Sequence, residues 1–130
     1  GEFGATTGRP RSCGWFDAPM VRHAARLNGI THLTLTKLDV LSGIKTLRIG
    51  IGHDTPEGDE RFSGLPVYED IPGWDEDITE CRTWESLPRA CQAYVERIEA
   101  LVGIRAGLIS VGPGRRQVIP RDPLFRSTQH

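Results

Sequence analysis

Three loop segments contain the residues of this sequence that are best suited to bind a ligand. Residues 1–11 combine hydroxyls and arginines with glycines that expose backbone N–H groups. Residues 36–41 hold Lys37 and Asp39, two positions apart, and residues 109–115 place a Gly-Pro-Gly turn after an apolar run. The sequence offers no Gly-rich phosphate cradle, evident general base or metal cluster beside them. Together the segments predict one wall of a nucleotide site.

The spacing of Lys37 and Asp39 suits recognition of a guanine base. A carboxylate accepts hydrogen bonds from the ring N–H and the exocyclic amine of guanine together. Adenine has no such pair of donors on one edge, so the carboxylate would also discriminate between the two bases. If the segment is extended, Lys37 points the same way as Asp39 and its aliphatic stem packs along the base. The alternative is a pair of solvated charges at the end of a strand.

The first and third segments suit anions and close backbone contacts. Thr6 and Thr7 offer hydroxyl donors, and the forks of Arg9 and Arg11 match carboxylate or phosphate oxygens. We expect residues 1–14 to form a Gly-rich, substrate-binding loop that closes over its ligand; the alternative is a terminal loop without a ligand. The glycines of the third segment let the backbone approach a ligand, the alternative being a plain exit from a strand.

Two helices are predicted from apolar spacing and capping residues. The first begins after Asp17, a suitable N-cap, has Pro19 in its first turn and stops at Gly29. The second covers residues 87–102 and stops at Gly103. The predicted apolar faces are Met20, Val21, Ala24 and Leu27 in the first helix, and Cys91, Tyr94, Val95, Ile98, Leu101 and Val102 in the second.

Alternating and β-branched residues predict the strands. They are expected at residues 32–36, 46–51, 66–71 and 105–111, with a short strand near 117–119. Leu47, Ile49 and Ile51 are expected on one face of the second strand. Residues 52–64 and 75–82 are interpreted as irregular polar segments, and Trp15, Trp74 and Trp84 as packing residues.

The order of the elements indicates an α/β fold. Helices alternate with strands, and the candidate binding segments leave the carboxyl ends of strands, where ligands lie in open α/β sheets. Two helices are too few to cover both faces of a parallel sheet. We therefore expect residues 1–130 to be one domain that completes a larger, mostly parallel sheet with flanking helices.

Composition excludes several function classes. Charged residues make up 25% of the chain and the net charge is −1, which gives no chain-wide field for nucleic acid. No apolar run approaches the ~20 residues of a membrane span, and no signal segment is evident, so a cytoplasmic protein is expected. Three widely spaced cysteines and four scattered histidines favour neither disulfides nor a metal site.

The ordered motifs together are similar to the adenylosuccinate synthetase family, of which the chain resembles only the C-terminal third. The matching segments are GEFG (1–4), TTGR (6–9), CGWFD (13–17), RLN (26–28), LTKLDVL (35–41), PVYE (66–69), PGW (72–74), YVERIE (94–99), ISVGP (109–113) and RDP (121–123). One departure is Gly114, since the family usually has an aspartate at this position.

The resemblance implies a P-loop-NTPase-like fold and a GTP-dependent ligase of purine and AMP biosynthesis. Such enzymes join IMP and L-aspartate into adenylosuccinate while GTP becomes GDP and phosphate. By the resemblance, Ala5, Thr6, Thr7, Gly8, Arg9, Pro10 and Arg11 bind aspartate, Arg9 also binds IMP, and Arg11, Lys37, Leu38, Asp39, Ser110, Val111 and Gly112 bind GTP.

The resemblance also limits what this segment would supply. Mg²⁺ and its ligands, the catalytic base and the catalytic acid are expected mainly upstream of Gly1, and no catalytic or metal-binding residue is assigned here. The full-length enzyme is expected to be a homodimer, with no nucleic-acid or membrane partner. Two function classes stay open: part of a GTP-dependent ligase, or a stand-alone, non-catalytic remnant or guanine-nucleotide-binding module.

Overall fold

A computed structural model describes residues 2–6, 15–54 and 65–121 of the chain. The strands and longer helices are β1 (Glu2–Thr6), β2 (Phe16–Asp17), α1 (Ala18–Asn28), β3 (His32–Thr36), β4 (Thr46–Asp54), β5 (Leu65–Pro72), α2 (Arg89–Val102), β6 (Arg105–Ser110) and β7 (Val118–Pro120). Two short 3₁₀ helices cover Leu38–Leu41 and Trp84–Ser86.

The strands form two sheets. The four-stranded sheet has the order β1-β3-β6-β7, in which β1, β3 and β6 are parallel and β7 is antiparallel to β6. The three-stranded sheet has the order β2-β4-β5, with β2 parallel and β5 antiparallel to β4. The predicted α/β class and largely parallel pairing are therefore observed. The division into two sheets was not predicted.

Strand β1 corrects the prediction of a loop over residues 1–14. Glu2–Thr6 pairs in parallel with β3, from Glu2 opposite His32 to Thr6 opposite Thr36. The many glycines nearby suggested a loop, but pairing with a neighbouring strand outweighs weak local propensity. The rest of that predicted loop, apart from these strand residues, lies outside the described part of the chain.

Helix α1 has the predicted ends but buries a different face. The Asp17 carboxylate accepts from the Met20 amide at 3.2 Å, and Gly29 ends the helix with a φ of 63°. The buried residues are Ala18 and Ala25, whereas Met20 and Leu27 are 48% and 72% exposed. Val21 packs against the core as predicted, but the prediction that Met20 and Leu27 belong to the buried face was wrong.

Strand β4 is longer than predicted and changes face midway. Leu47 and Ile49 are fully buried, but Ile51 is 37% exposed. An irregularity in the pairing with β5 between Gly50 and Gly52 shifts the alternation by one residue. The strand also includes residues 52–54, which were predicted as loop.

Helix α2 forms the centre of the core and follows its predicted spacing. Its buried residues are Cys91, Tyr94, Val95, Ile98 and Val102. The helix contacts both β5 and β6, and thus joins the two sheets. It starts at Arg89 rather than residue 87, directly after Pro88, and Gly103 ends it with a φ of 83°.

The tryptophans pack against this core as predicted. Trp74 is buried, its ring meets that of Tyr94 edge-on at 5.9 Å, and its indole N–H donates to Ser42 Oγ at 3.0 Å. Trp15 and Trp84 are partly buried at the margin of the core. Within the described ranges, no helix has the length and apolar character needed to cross a membrane.

Candidate nucleotide site at the ends of parallel strands

The candidate site lies where β3 and β6 end side by side. Leu35 pairs with Ile109, so Thr36 and Ser110 follow at the same edge of the sheet. A cavity of about 360 Å³ opens there, and its lining residues are Thr36, Lys37, Asp39, Val40, Ser110, Gly112 and Pro113. Two of the three segments singled out in the sequence therefore meet in one pocket at the carboxyl ends of parallel strands.

The chain turns sharply at Lys37, which brings Lys37 and Asp39 to the pocket. Lys37 has φ 62° and ψ 31°, and it alone among the described non-glycine residues has a positive φ. An L-residue in this left-handed conformation costs about 1 kcal/mol or more, and such strain concentrates at functional sites. The assumption that this segment is extended was therefore wrong.

The residue between them anchors the turn. Leu38 is fully buried, while Lys37 is exposed and Asp39 is half-buried. The following 3₁₀ turn is closed by the Val40 and Ser42 amides, which donate to the carbonyls of Lys37 and Asp39 at 3.3 and 3.2 Å. Because the Leu38 side chain points into the core, only its backbone is available to a ligand.

The opposite wall is the loop that follows β6. Ser110 Oγ donates to the Gly112 carbonyl at 3.0 Å, and the Val111 amide donates to the Gln117 carbonyl at 2.8 Å. Val111 is fully buried, so it too can offer only backbone atoms to a ligand. Gly112 and Pro113 line the cavity directly. This wall is therefore built mainly from backbone, with Ser110 as its polar side chain.

Gln117 holds this loop and was missed in the sequence. Its Oε1 accepts from the Gly114 amide at 2.7 Å, and its Nε2 donates to the Thr79 carbonyl at 3.3 Å. Only its position shortly after the Gly-Pro-Gly turn could have indicated a role. The partner Thr79 is 38 positions away in sequence, so no local pattern reveals the second contact.

The first segment is described only in part. Ala5 and Thr6 end β1, and Thr6 pairs with Thr36, so the end of β1 lies at the same sheet edge as the pocket. The other predicted ligand-binding residues of this segment lie outside the described residues. These are Thr7, Gly8, Arg9, Pro10 and Arg11.

Among the described residues, the ionisable groups with displaced pKa values do not line the pocket. Burial raises the pKa of the Cys91 thiol to about 12 and also raises the pKa of Tyr94. The charged side chains of the pocket lining are Lys37 and Asp39. Over residues 15–54 and 65–121, no three histidine, cysteine or acidic side chains come together as a metal site would require. The described pocket thus presents one cation and one carboxylate to a ligand.

An α/β sheet whose parallel strands end at a pocket lined by Lys37, Asp39 and Ser110 belongs to the broad class of α/β ligand-binding proteins, many of which bind nucleotides. Comparison with known proteins narrows the class. The sequence profile described as adenylosuccinate synthetase matches residues 1–119. The chain belongs to the adenylosuccinate synthetase family, which confirms the resemblance noted in the sequence.

Curated relatives and a solved structure agree with this assignment. The adenylosuccinate synthetase of Nitratidesulfovibrio vulgaris (strain Miyazaki F) is 54% identical over 129 residues, which cover 92% of this chain and 30% of the relative. That of Alkaliphilus metalliredigens is 50% identical over 134 residues, covering 95% and 31%.

The solved structure is a fully ligated adenylosuccinate synthetase from Plasmodium falciparum. It superposes with a TM-score of 0.76 at 34% identity over 86% of this chain and 30% of the other. The likeness confirms the α/β fold. The chain spans about 30% of the length of the relatives that it matches.

Proposed function

We propose that this chain is the C-terminal part of a cytoplasmic, homodimeric, GTP-dependent ligase that makes adenylosuccinate in purine and AMP biosynthesis. The observation that carries the proposal is the pocket lined by Lys37, Asp39, Ser110 and Gly112, in a chain of the adenylosuccinate synthetase family. The segment would supply binding residues, and the rest of the polypeptide would supply the chemistry.

Asp39 would recognise the guanine base of GTP. Its carboxylate lines the pocket and can accept both donors of the guanine edge. Lys37, on the same turn, would lay its aliphatic stem along the base. Ser110 and Gly112, which line the pocket, and the backbone of Leu38 and Val111 would hold the rest of the guanosine.

The end of β1 and the residues that follow would bind L-aspartate. We assign this role to residues 5–11, with Arg9 also contacting IMP and Arg11 contacting GTP. Two arginines suit ligands with carboxylate and phosphate groups, because their planar forks donate two hydrogen bonds to one anion. The position of Thr6 beside Thr36 supports a location next to the guanosine pocket.

The proposed reaction has two steps. The 6-oxygen of IMP attacks the γ-phosphorus of GTP, forming 6-phosphoryl-IMP and GDP. The aspartate amine then attacks carbon 6 and displaces inorganic phosphate, with loss of a proton, to give adenylosuccinate. Residues of this chain would bind and orient the substrates. In this proposal the ligands of Mg²⁺ belong mainly to the rest of the full-length protein.

The decisive experiment is Asp39→Asn in the full-length protein that contains this chain. The amide keeps the size of the side chain but loses the charge and one acceptor. Losing a charged, paired contact weakens binding by about 2–3 kcal/mol, which is roughly 30- to 150-fold. We expect the KM for GTP to rise by this factor while the KM values for IMP and aspartate stay nearly unchanged.

Asp70→Asn is the matched control for that experiment. Asp70 is a surface carboxylate paired with Arg48 at 3.3 Å and is 63% exposed. Its replacement changes the same charge without touching the pocket, and we expect wild-type kinetics. An Asp39→Asn enzyme with an unaltered dependence on GTP would remove Asp39 from the base site.

The alternative function is a guanine-nucleotide-binding module without catalysis. It is favoured by one observation: residues of this chain line the described pocket, although the chain spans about 30% of its relatives' length. The encoding gene separates the alternatives. A Gly-rich phosphate loop encoded upstream of Gly1 supports the ligase, and a start codon at that boundary supports the module.

A further inference from the structure

Gln117 ties both ends of the loop that forms one wall of the pocket. Its carbonyl accepts from the Val111 amide at 2.8 Å, where the loop begins. Its own amide donates to the Gly114 carbonyl at 3.0 Å, and its Oε1 accepts from the Gly114 amide at 2.7 Å. One residue thus fixes the loop at its start and at its end.

The side-chain amide of Gln117 also lies directly against two glycines of this loop. A Cβ atom at Gly112 would come within 2.5 Å of the Gln117 amide, and one at Gly114 within 2.8 Å of its Oε1. Neither glycine has a positive φ, so their role is to leave space rather than to adopt a special conformation. Gly112 lines the cavity whereas Gln117 does not, so Gln117 supports the wall from behind.

The NH₂ group of the Gln117 side chain is bound to Thr79, which is itself held by other hydrogen bonds. Nε2 donates to the carbonyl of Thr79 at 3.3 Å, and an Arg82 guanidinium N–H donates to the same carbonyl at 2.7 Å. The Asp77 carboxylate in turn accepts from the Thr79 amide and hydroxyl at 2.9 and 2.7 Å. The pocket wall is therefore connected through Gln117 to the turn at residues 77–79.

We propose that Gln117 is a positioning residue that holds the loop at residues 110–114 in the conformation required to bind the guanosine of GTP. The inference rests on the proposed function, and it adds a residue that does not itself touch the nucleotide. Without the amide, the Gly114 N–H loses its acceptor and the loop is released from Thr79. GTP binding would then have to reorder the loop, which lowers affinity for GTP alone.

Two substitutions and one control test this role in the full-length enzyme. Gln117→Met keeps the length of the side chain and removes both amide groups. Gln117→Glu keeps the acceptor for Gly114 and removes the donor to Thr79. Gln92→Met is the matched control, because Gln92 Nε2 likewise donates to backbone carbonyls, those of Trp84 at 2.9 Å and Leu87 at 3.3 Å, away from the pocket.

The expected result is a selective change in the KM for GTP. Losing a neutral hydrogen bond of this kind should raise that KM roughly three- to tenfold in Gln117→Met. The KM values for IMP and aspartate and the kcat should stay within about twofold. Gln117→Glu keeps the contact with Gly114 and loses the one with Thr79, so it should raise the KM for GTP less than Gln117→Met does. Gln92→Met should leave the KM for GTP unchanged. Hydrogen exchange at the Gly114 amide, measured in the enzyme without nucleotide, should be faster in Gln117→Met than in the wild type.

Each other outcome has a distinct meaning. Suppose that the wild-type enzyme depends on GTP and that Gln117→Met has a normal KM for GTP. This result overturns the role of Gln117 and leaves the proposed function standing. An equal rise of all three KM values also overturns it, because a general structural role would do the same. If Gln117→Met does not fold, an equal rise of all three KM values in Gln117→Glu overturns it. A wild-type enzyme that consumes no GTP overturns both proposals together.

Discussion

At the scale of single residues, burial controls the chemistry of Cys91. The thiol is fully buried in helix α2, and desolvation, with smaller contributions from Cys81 and Glu76, raises its pKa to about 12. A thiolate is the reactive species, so at pH 8 only about one molecule in ten thousand would carry it. We expect iodoacetamide to leave Cys91 unlabelled in the folded protein and to label it after denaturation.

Cys81 provides the comparison within the same molecule. It is only half-buried, and its thiol donates to the Ser86 carbonyl at 3.4 Å. Peptide mapping by mass spectrometry would give the labelling rate of each cysteine separately. Equal rates for Cys81 and Cys91 in the folded protein would show that burial does not protect Cys91.

The residues of the pocket show what sequence reasoning can find at this scale. Lys37 and Asp39 were predicted as binding residues from residue type and spacing, and the structure places both in the lining of the cavity. An extended segment, the geometry considered from the sequence, would point both side chains the same way. Instead, a turn brings them to the cavity, because Lys37 adopts a left-handed conformation that lysine rarely takes and that no local pattern indicates. Gln117 was missed because its significance depends on Thr79, a partner distant in sequence.

At the scale of elements, the end of helix α2 depends on the backbone conformation of Gly103. Its φ is 83°, and an added Cβ would meet no atom within 4 Å. Gly103→Ala therefore introduces dihedral strain without a clash, and we expect a loss of about 1 kcal/mol of stability. Gly52→Ala is the control, because a Cβ there is equally unobstructed and the φ is not positive. Thermal unfolding that ranks both variants equally would contradict this account.

The contact between β5 and α2 should make stability depend on pH. Arg97 donates two hydrogen bonds to the Glu69 carboxylate at 2.7 and 2.8 Å, and these bonds lower the pKa of Glu69 below its ordinary value of 4.5. A lowered folded-state pKa means that the unfolded chain takes up the proton first. The stabilisation is therefore complete above about pH 5 and is lost as the pH falls through the folded-state pKa.

Glu69→Gln tests this dependence. We expect the variant to have a lower thermal midpoint than the wild type at pH 7, and the difference to shrink below pH 4.5. Both partners are partly exposed, which limits the size of the effect through solvent screening. Glu85→Gln, at an exposed position, controls for the loss of one negative charge. A difference between wild type and Glu69→Gln that does not change with pH would exclude this ion pair as its source.

Element positions were more predictable than the faces that they bury. The caps of α1 and the spacing of α2 followed from local rules, because Asp17, Gly29 and Gly103 act through their own backbone. The buried face of α1 followed only in part, because which side of the helix meets the core depends on its packing against α2 and β4. The change of face in β4 required knowledge of its pairing with β5.

At the scale of the whole molecule, topology separates what could be predicted from what could not. Alternating helices and strands correctly indicated an α/β fold with parallel pairing. The second sheet was not foreseen, because it depends on the pairing of β2 with β4, whose partners are more than thirty residues apart. Such long-range pairings are selected by the packed core, in which α2 contacts both sheets.

The last prediction concerns the chain of residues 1–130 on its own, which we expect not to catalyse the ligation. It spans about 30% of the length of the relatives that it matches, and its described pocket offers Lys37 and Asp39, which we assign to the guanine base. Phosphoryl transfer also requires groups that hold the phosphates, neutralise the developing charge and move protons. In our proposal those groups belong to the rest of the full-length protein.

The assay compares the chain of residues 1–130 with the full-length protein, each given IMP, GTP, Mg²⁺ and aspartate. Circular dichroism first establishes that the shorter chain has folded, so that inactivity cannot be attributed to unfolding. Adenylosuccinate absorbance then reports turnover, which we expect only with the full-length protein. Turnover by the shorter chain that survives repurification would show that these residues carry a complete active site. The assignment of the chemistry to the rest of the polypeptide would then be wrong.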